Sequence, residues 1–318
     1  MNGSRDNKKV TVAIIGGGPA GISSAIWCKR LGMVPLLFEE KERIGGALHQ
    51  IHGPLIDYPG RWGKNGEEFL HHLEEHLHLL QIPVHNEEKV TSLEMRDKGG
   101  SITTEMGLYE ADYVILATGT RPRRLHIPGE EEMFARGEIY STHRNREALR
   151  GKRVLIVGGG DRAVETALNL LPYAEAIHLV HRREHFRARS EWMGKLRESK
   201  VLIHTNTRLK AILGEGKVEG ALLSTSPAHE QLLPVDAVLI RIGNEPVVEL
   251  IPPSLRKGNG APHVDENGAT RHPRLFAVGD LVTPPPFCSI AVAVGQGMRA
   301  AKQILEQEKE IEQRERPT

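Results

Sequence analysis

Cysteine is nearly absent: Cys28 and Cys288 are the two in 318 residues, too few and too far apart in the chain for a disulfide framework. No run of eighteen apolar residues occurs, which excludes a membrane-spanning helix. The formal net charge is +1, so no global basic field of the kind that attracts nucleic acid is present. The opening residues, MNGSRDNKK, are polar and lack the apolar core of a secretory signal. These shortages predict a protein of a reducing cytoplasm, with no nucleic-acid or membrane partner. With 39% apolar and 26% charged residues, the length suffices for two globular domains, each with its own core.

A glycine fingerprint occurs twice. In Val10–Gly21 (VTVAIIGGGPAG), Gly16, Gly18 and Gly21 follow an apolar run at G-x-G-x-x-G spacing. Glu39 stands eighteen residues past Gly21, at the end of a second apolar run. In Val154–Ala163 (VLIVGGGDRA), Gly158, Gly160 and Ala163 repeat the pattern as G-x-G-x-x-A. Eighteen residues past Ala163 no acid appears; the chain reads His181-Arg182-Arg183, with Arg187 close behind.

A dinucleotide's pyrophosphate lies against backbone N–H groups at a helix N-terminus, and glycine lets a strand-to-helix turn come that close. A carboxylate at the end of the second strand accepts hydrogen bonds from ribose hydroxyls and repels a 2′-phosphate. Glu39 therefore reads as a marker for FAD or NAD, and against NADP. At the second site the logic inverts. Arg182, Arg183 and Arg187 are planar, permanently charged forks suited to a phosphate dianion, with His181 beside them. One fingerprint alone is also the signature of an ordinary tight turn. Two, with matched downstream spacing, predict a flavoenzyme that uses NADPH.

Short β-branched runs alternate with helical patterns, which predicts an α/β protein with largely parallel sheets. In the first unit, strands are expected over Val10–Ile15, Pro35–Phe38 and Tyr113–Gly119, with a helix from Pro19 to about Leu31. A second helix, Glu67–Leu80, turns Phe69, Leu70, Leu73, Leu77 and Leu80 inward. Val90–Leu93, Ser101–Glu105 and Tyr109–Glu110 read as meander strands. The second unit covers about Arg153–Arg189, with Val201–His204, Lys217–Leu223 and Ala237–Ile242 continuing its strands. Arg121–Pro128 and Gly243–Pro246 read as crossovers out and back. Leu275–Asp280 is a strand ending in an acid, and a long helix starts near Ser289, its polar end after Leu305 extending it or fraying. The expectation is two Rossmann-like, three-layer dinucleotide-binding domains, the one over 121–243 inserted between 1–120 and 244–318 of the other. His72-Leu73-Glu74-Glu75-His76 matches the zinc-protease pattern H-x-x-E-H. Without a downstream ligand motif, and with His71 and His78 alongside, it reads as a histidine-rich polar face and no metal site.

The ordered set GGGPAG, Gly45-Gly46-Ala47-Leu48, Asp57-Tyr58-Pro59-Gly60, Ala117-Thr118-Gly119, GGGDRAVE, HRREHFRA and AVGD, spanning Val10 to about Ala301, resembles the thioredoxin reductase-like pyridine-nucleotide:flavin oxidoreductases. The resemblance implies FAD in the first and last segments, at Gly16, Gly18, Pro19, Ala20, Gly21, Glu39, Gly46, Leu48, Gly119, Gly279, Asp280, Ser289 and Ile290. It implies NADPH in the middle, at Gly158, Gly160, Asp161, Arg162, Ala163, His181, Arg182, Arg183 and Arg187, and a homodimer. On the family pattern Asp280 accepts a hydrogen bond from a ribityl hydroxyl. The helix after Ser289 aims its N–H groups at the flavin's pyrimidine edge, where their partial positive charge eases hydride acceptance.

The chain departs from thioredoxin reductases at the C-x-x-C pair that passes electrons to a disulfide. Counting back from Val154 puts those positions on Ser141 and Arg144, neither capable of thiol–disulfide exchange. In this it is similar to the ferredoxin/flavodoxin–NADP⁺ reductases of the same group, whose flavin splits a hydride pair into single electrons for ferredoxin or flavodoxin. That function is the leading expectation, with no side chain needed as acid or base. The tail after Gly297 is short, charged and without aromatics, unlike the extended, flavin-shielding tail of that group. Cys28 reads as a structural thiol on the first helix. Cys288, which the resemblance places near the flavin, leaves a low-molecular-weight disulfide or peroxide-linked reductase as an alternative. Against it, single-cysteine disulfide reductases carry their thiol in the first fingerprint, where this chain has Ala20. A non-catalytic NADPH or redox sensor is the third reading.

Overall fold

A computed structural model describes residues 9–51, 53–138, 146–226, 229–258 and 260–315; Ser141 and Arg144 lie outside these residues. The chain divides into two compact units, Met1–Arg121 with Pro246–Thr318, and the intervening Pro122–Glu245.

The first unit opens with β1 (Thr11–Ile15), α1 (Pro19–Arg30), β2 (Val34–Phe38), α2 (Gly66–Leu79) and β3 (Val84–His85). A three-stranded antiparallel meander follows, β4 (Val90–Arg96), β5 (Gly99–Thr104) and β6 (Leu108–Ala111), then β7 (Tyr113–Leu116) and β8 (Thr120–Pro122). The second unit contains α3 (Glu130–Ala135), β9 (Arg153–Val157), α4 (Asp161–Leu170), β10 (Ala176–Val180), α5 (Ser190–Arg197) and β11 (Leu202–His204). It continues with β12 (Arg208–Leu213), β13 (Gly220–Ser226), β14 (His229–Pro234) and β15 (Ala237–Ile240). The chain returns through β16 (Asn244–Pro246), which pairs with β8, to β17 (Leu275–Ala277) and α6 (Ile290–Glu315).

Parallel strands covered on both faces read as continuous apolar runs, and β1 and β7 do so: Val12 to Ile15 and Tyr113 to Leu116 are all buried. The first unit's main sheet runs β17-β7-β1-β2-β3, so the chain leaves β1 toward β2 on one side while β7 lies on the other. The switch point, where open α/β sheets bind ligands, falls at the carboxyl end of β1. Small residues let α1 and α6 approach closely: a Cβ on Gly297 would lie 2.4 Å from the Ala20 carbonyl oxygen. The polar stretch after Leu305 continues α6 to Glu315. Glu308 anchors it, accepting from the Tyr113 hydroxyl at 2.7 Å and the Arg274 guanidinium at 2.5 Å. The two-residue strand β3 has no counterpart in the sequence pattern, because two residues are too few to leave a periodic signal.

In the second unit the parallel sheet runs β11-β10-β9-β15. Lys217–Leu223, expected to continue it, instead supplies β13 of a separate antiparallel sheet, β12-β13-β14. A buried apolar run fits either sheet equally well, and the connection through β12 and β14 decides it.

His178 on β10 and His204 on β11 stack at 5.2 Å between ring centroids, with 3.0 Å between Nδ1 and Nε2. Burial lowers both pKa values, and for His178 the charges of His204 and Arg153 lower it further. As pH falls below the ordinary 6.5, the unfolded chain takes up protons that the folded pair refuses. Stability then drops until the folded pKa values are passed. Urea denaturation between pH 7.5 and 5 is expected to show this loss, and His178→Asn to flatten it.

Candidate dinucleotide sites

At the end of β1 the backbone crosses itself. A Cβ on Gly21 would lie 1.9 Å from the Gly16 carbonyl oxygen, and one on Gly16, at φ +111°, 2.4 Å from that of Ala117. These two glycines permit the packing of α1 on β1 and β7. Gly18 is different: a Cβ there meets nothing within 4 Å. It is the N-cap of α1, with Pro19 following, no side-chain cap and no acid in the first turn. The helix therefore presents uncapped N–H groups beside an open approach, the arrangement a pyrophosphate requires. Glu39, buried at the end of β2, accepts from the Gly17 N–H at 2.8 Å and the Lys41 N–H at 3.0 Å. Its carboxylate thus lies against the turn and keeps lone pairs for ribose hydroxyls.

The other residues assigned to this site come from distant parts of the chain. Gly46, at φ +50°, comes so close that an added Cβ would lie 3.2 Å from the Gly18 Cα, and Leu48 is buried behind it. Gly119 ends the β7 segment at φ +66° and accepts from the Val247 N–H. A Cβ on Gly279 would lie 2.9 Å from the Ala20 Cβ, so the Gly279-Asp280 turn borders the start of α1. Gln296, which belongs to none of the sequence motifs, fixes that turn. Its Oε1 accepts from the Gly279 N–H at 2.7 Å, and its Nε2 donates to Thr283 Oγ1 at 3.1 Å. Ser289 caps α6, accepting from the Val292 N–H at 3.1 Å, and Ile290 is the first helical residue, packed against the core.

The second fingerprint repeats the geometry at the end of β9. A Cβ on Gly158 would lie 2.8 Å from that of Ala163, whereas Gly160, the N-cap of α4 without a side-chain cap, has open space. Arg162, Arg182, Arg183 and Arg187 are exposed, and the Arg187 N–H donates to the Gly159 carbonyl at 2.7 Å. Two residues of the expected set also make contacts within the unit. His181 is buried, and a Cβ on Gly159 would lie 2.2 Å from its ring. Its Nε2 is 3.1 Å from the His185 carbonyl, which can only accept, so the proton is on Nε2. Burial and the three neighbouring arginines lower its pKa against the opposing bond to His185. Its ring supports the basic loop from beneath Gly159. Asp161 accepts from the Arg189 N–H at 2.7 Å and Nε at 2.8 Å, which fastens the end of that loop to α4 and, as at Glu39, leaves lone pairs over.

Of the α2 histidines, His71 and His72 lie 3.3 Å and 3.2 Å from the Glu75 carboxylate. Neither cysteine is in a disulfide. Cys28 is fully buried, and desolvation pushes its thiol up to about 12, too high for a thiolate nucleophile. Cys288 is exposed, its S–H directed to the Thr283 and Pro284 carbonyls at 3.6 and 3.7 Å. Among the described residues no helix is long and apolar enough to cross a membrane.

The family model of pyridine nucleotide-disulphide oxidoreductases matches residues 10–297. The chain is 35% identical over 303 residues to the bifunctional thioredoxin reductase/thioredoxin of Mycobacterium leprae, covering 91% of this chain and 64% of that one. It thus spans a little less than two thirds of that protein. It is 30% identical over 300 residues to a 34.2 kDa protein in the rubredoxin operon of Clostridium pasteurianum, covering 93% and 96%. The crystal structure of Lactococcus lactis thioredoxin reductase in its FR conformation matches with a TM-score of 0.81 and 30% identity, over 94% and 98% of the two chains. The chain belongs to the pyridine nucleotide-disulphide oxidoreductase family, in its thioredoxin reductase-like group, whose cofactors are FAD and NADPH.

Proposed function

We propose that the chain is an NADPH-dependent FAD reductase that delivers electrons to a small redox protein of the ferredoxin or flavodoxin class, without a thiol relay. In this reading the first unit holds FAD. The N-terminus of α1 receives the pyrophosphate, Glu39 a ribose, and Asp280 and the start of α6 the flavin half. The second unit holds NADPH, with the N-terminus of α4 on the pyrophosphate and Arg182, Arg183 and Arg187 on the 2′-phosphate. FAD, when bound, would supply the electron chemistry, hydride acceptance from NADPH and release of single electrons, which no side chain here can provide. The chain's own residues bind and orient; none is required to move a proton.

The carrying observation is the contrast between two well-formed nucleotide turns and the thiols. Cys28 is fully buried, and Cys288 is the sole remaining cysteine in the sequence, so no dithiol is available to pass electrons to a disulfide. The similarity to a protein of a rubredoxin operon supports a small electron carrier as acceptor. A second reading rests on the exposure of Cys288 beside the cap of α6: a disulfide or peroxide-linked reductase using that thiol. Cys288→Ser separates the two. Steady-state NADPH-driven reduction of ferredoxin or flavodoxin is expected to stay within about twofold of the unaltered protein, as for an exposed side chain outside the electron route. Abolished turnover would transfer the function to Cys288. The same reading carries a homodimer, which light scattering tests.

A further inference from the structure

Arg241 has no place in either fingerprint, yet its backbone lies against one. It follows β15 directly, and its N–H donates to the Val157 carbonyl at 2.7 Å. A Cβ on Gly158 would lie 2.3 Å from its own carbonyl oxygen. In the order β11-β10-β9-β15 the chain leaves β9 through α4 toward β10, and β15 lies on the other side of β9. The crevice at the carboxyl ends of β9 and β15 is thus the switch point, where such sheets place ligands. The cluster of Arg182, Arg183 and Arg187 follows β10, whereas Arg241 follows β15, on the opposite side of β9. Its half-buried guanidinium donates to the Ile240 carbonyl at 3.1 Å. Burial, and then the charge of Arg162 at the second position of α4, weigh against its own charge.

We propose that Arg241, together with Arg162, grips the coenzyme's diphosphate from the nicotinamide side. The proposal rests on the reading that the second unit binds NADPH. The arginines then have separate roles. Those after β10 tell NADPH from NADH, whereas Arg241 and Arg162 hold what both coenzymes share.

Calorimetric titration of the FAD-loaded protein with NADP⁺, NAD⁺ and 2′-AMP tests this. Arg241→Met is expected to weaken NADP⁺ and NAD⁺ by a similar factor of about ten, the loss of one charge-assisted contact. It should leave 2′-AMP, which has no diphosphate, unchanged, and that also shows the second unit to be folded. Arg241→Lys, which keeps the charge, is expected to recover most of the affinity. Unchanged NADP⁺ binding in Arg241→Met would overturn the proposal, and so would a loss confined to NADP⁺ and 2′-AMP, which would move Arg241 to the 2′-phosphate. Failure of the unaltered protein to bind NADP⁺ would overturn the coenzyme reading itself, a distinguishable result.

Discussion

Replacing Arg182 and Arg183 together by alanine is expected to weaken NADPH about a hundredfold and leave NADH nearly unchanged. Each guanidinium is exposed, so each contact with the 2′-phosphate is set at the low end of a charge-assisted hydrogen bond, about 1.5 kcal/mol. Two such contacts make about 3 kcal/mol, or roughly two powers of ten in affinity. NADH lacks the 2′-phosphate and has nothing to lose. The loop itself should survive, because it is held from within by His181 on the His185 carbonyl, the Arg187 N–H on Gly159, and Asp161 on Arg189. The ratio of kcat/KM for the two coenzymes is the readout. An equal fall for both would mean that the cluster acts on the loop's fold; no fall would place the 2′-phosphate elsewhere.

Gly21→Ala and Gly18→Ala should both produce a colourless protein, for opposite reasons. At Gly21 the added methyl would be 1.9 Å from a backbone oxygen, and neither backbone can yield without separating α1 from β1. A destabilisation of about 3 kcal/mol or more is expected, seen as a lowered melting temperature of the apoprotein. At Gly18 the methyl meets nothing within 4 Å, and φ −77° suits alanine. The apoprotein should melt as before, while the methyl stands in the approach to the N-terminus of α1. Loss of two backbone hydrogen bonds to a charged pyrophosphate costs about 3 kcal/mol, some hundredfold in FAD affinity. Flavin absorbance after gel filtration, read beside the apoprotein melt, distinguishes the two. Full flavin retention in Gly18→Ala would remove the pyrophosphate from this turn.

What the chain reveals by itself is local. The fingerprints, Glu39 and the arginine cluster are set by spacing within one strand–helix–strand unit, where a turn of fixed geometry leaves a fixed pattern. Burial and long-range pairing are not legible in the same way. His181 stands beside three arginines in the sequence, yet its ring packs under Gly159 while theirs are exposed. The bond from Arg189 to Asp161, twenty-eight positions apart, leaves no mark in the sequence. Gln296 and Arg241 reach their turns only through the closure of each sheet by its last strand and helix. The antiparallel sheet β12-β13-β14 is only partly visible, because a short apolar run does not state which sheet it joins.

Electron delivery without a thiol is tested most directly by an anaerobic double-mixing stopped-flow experiment on the FAD-loaded protein. It uses NADPH first and oxidised flavodoxin or ferredoxin second, with both cysteines replaced by serine. NADPH is expected to bleach the flavin much faster than NADH does, and the carrier to restore its colour at the rate seen with cysteines present. Rapid bleaching followed by recovery only when Cys288 is intact, and only with a disulfide or peroxide, would contradict a thiol-free route.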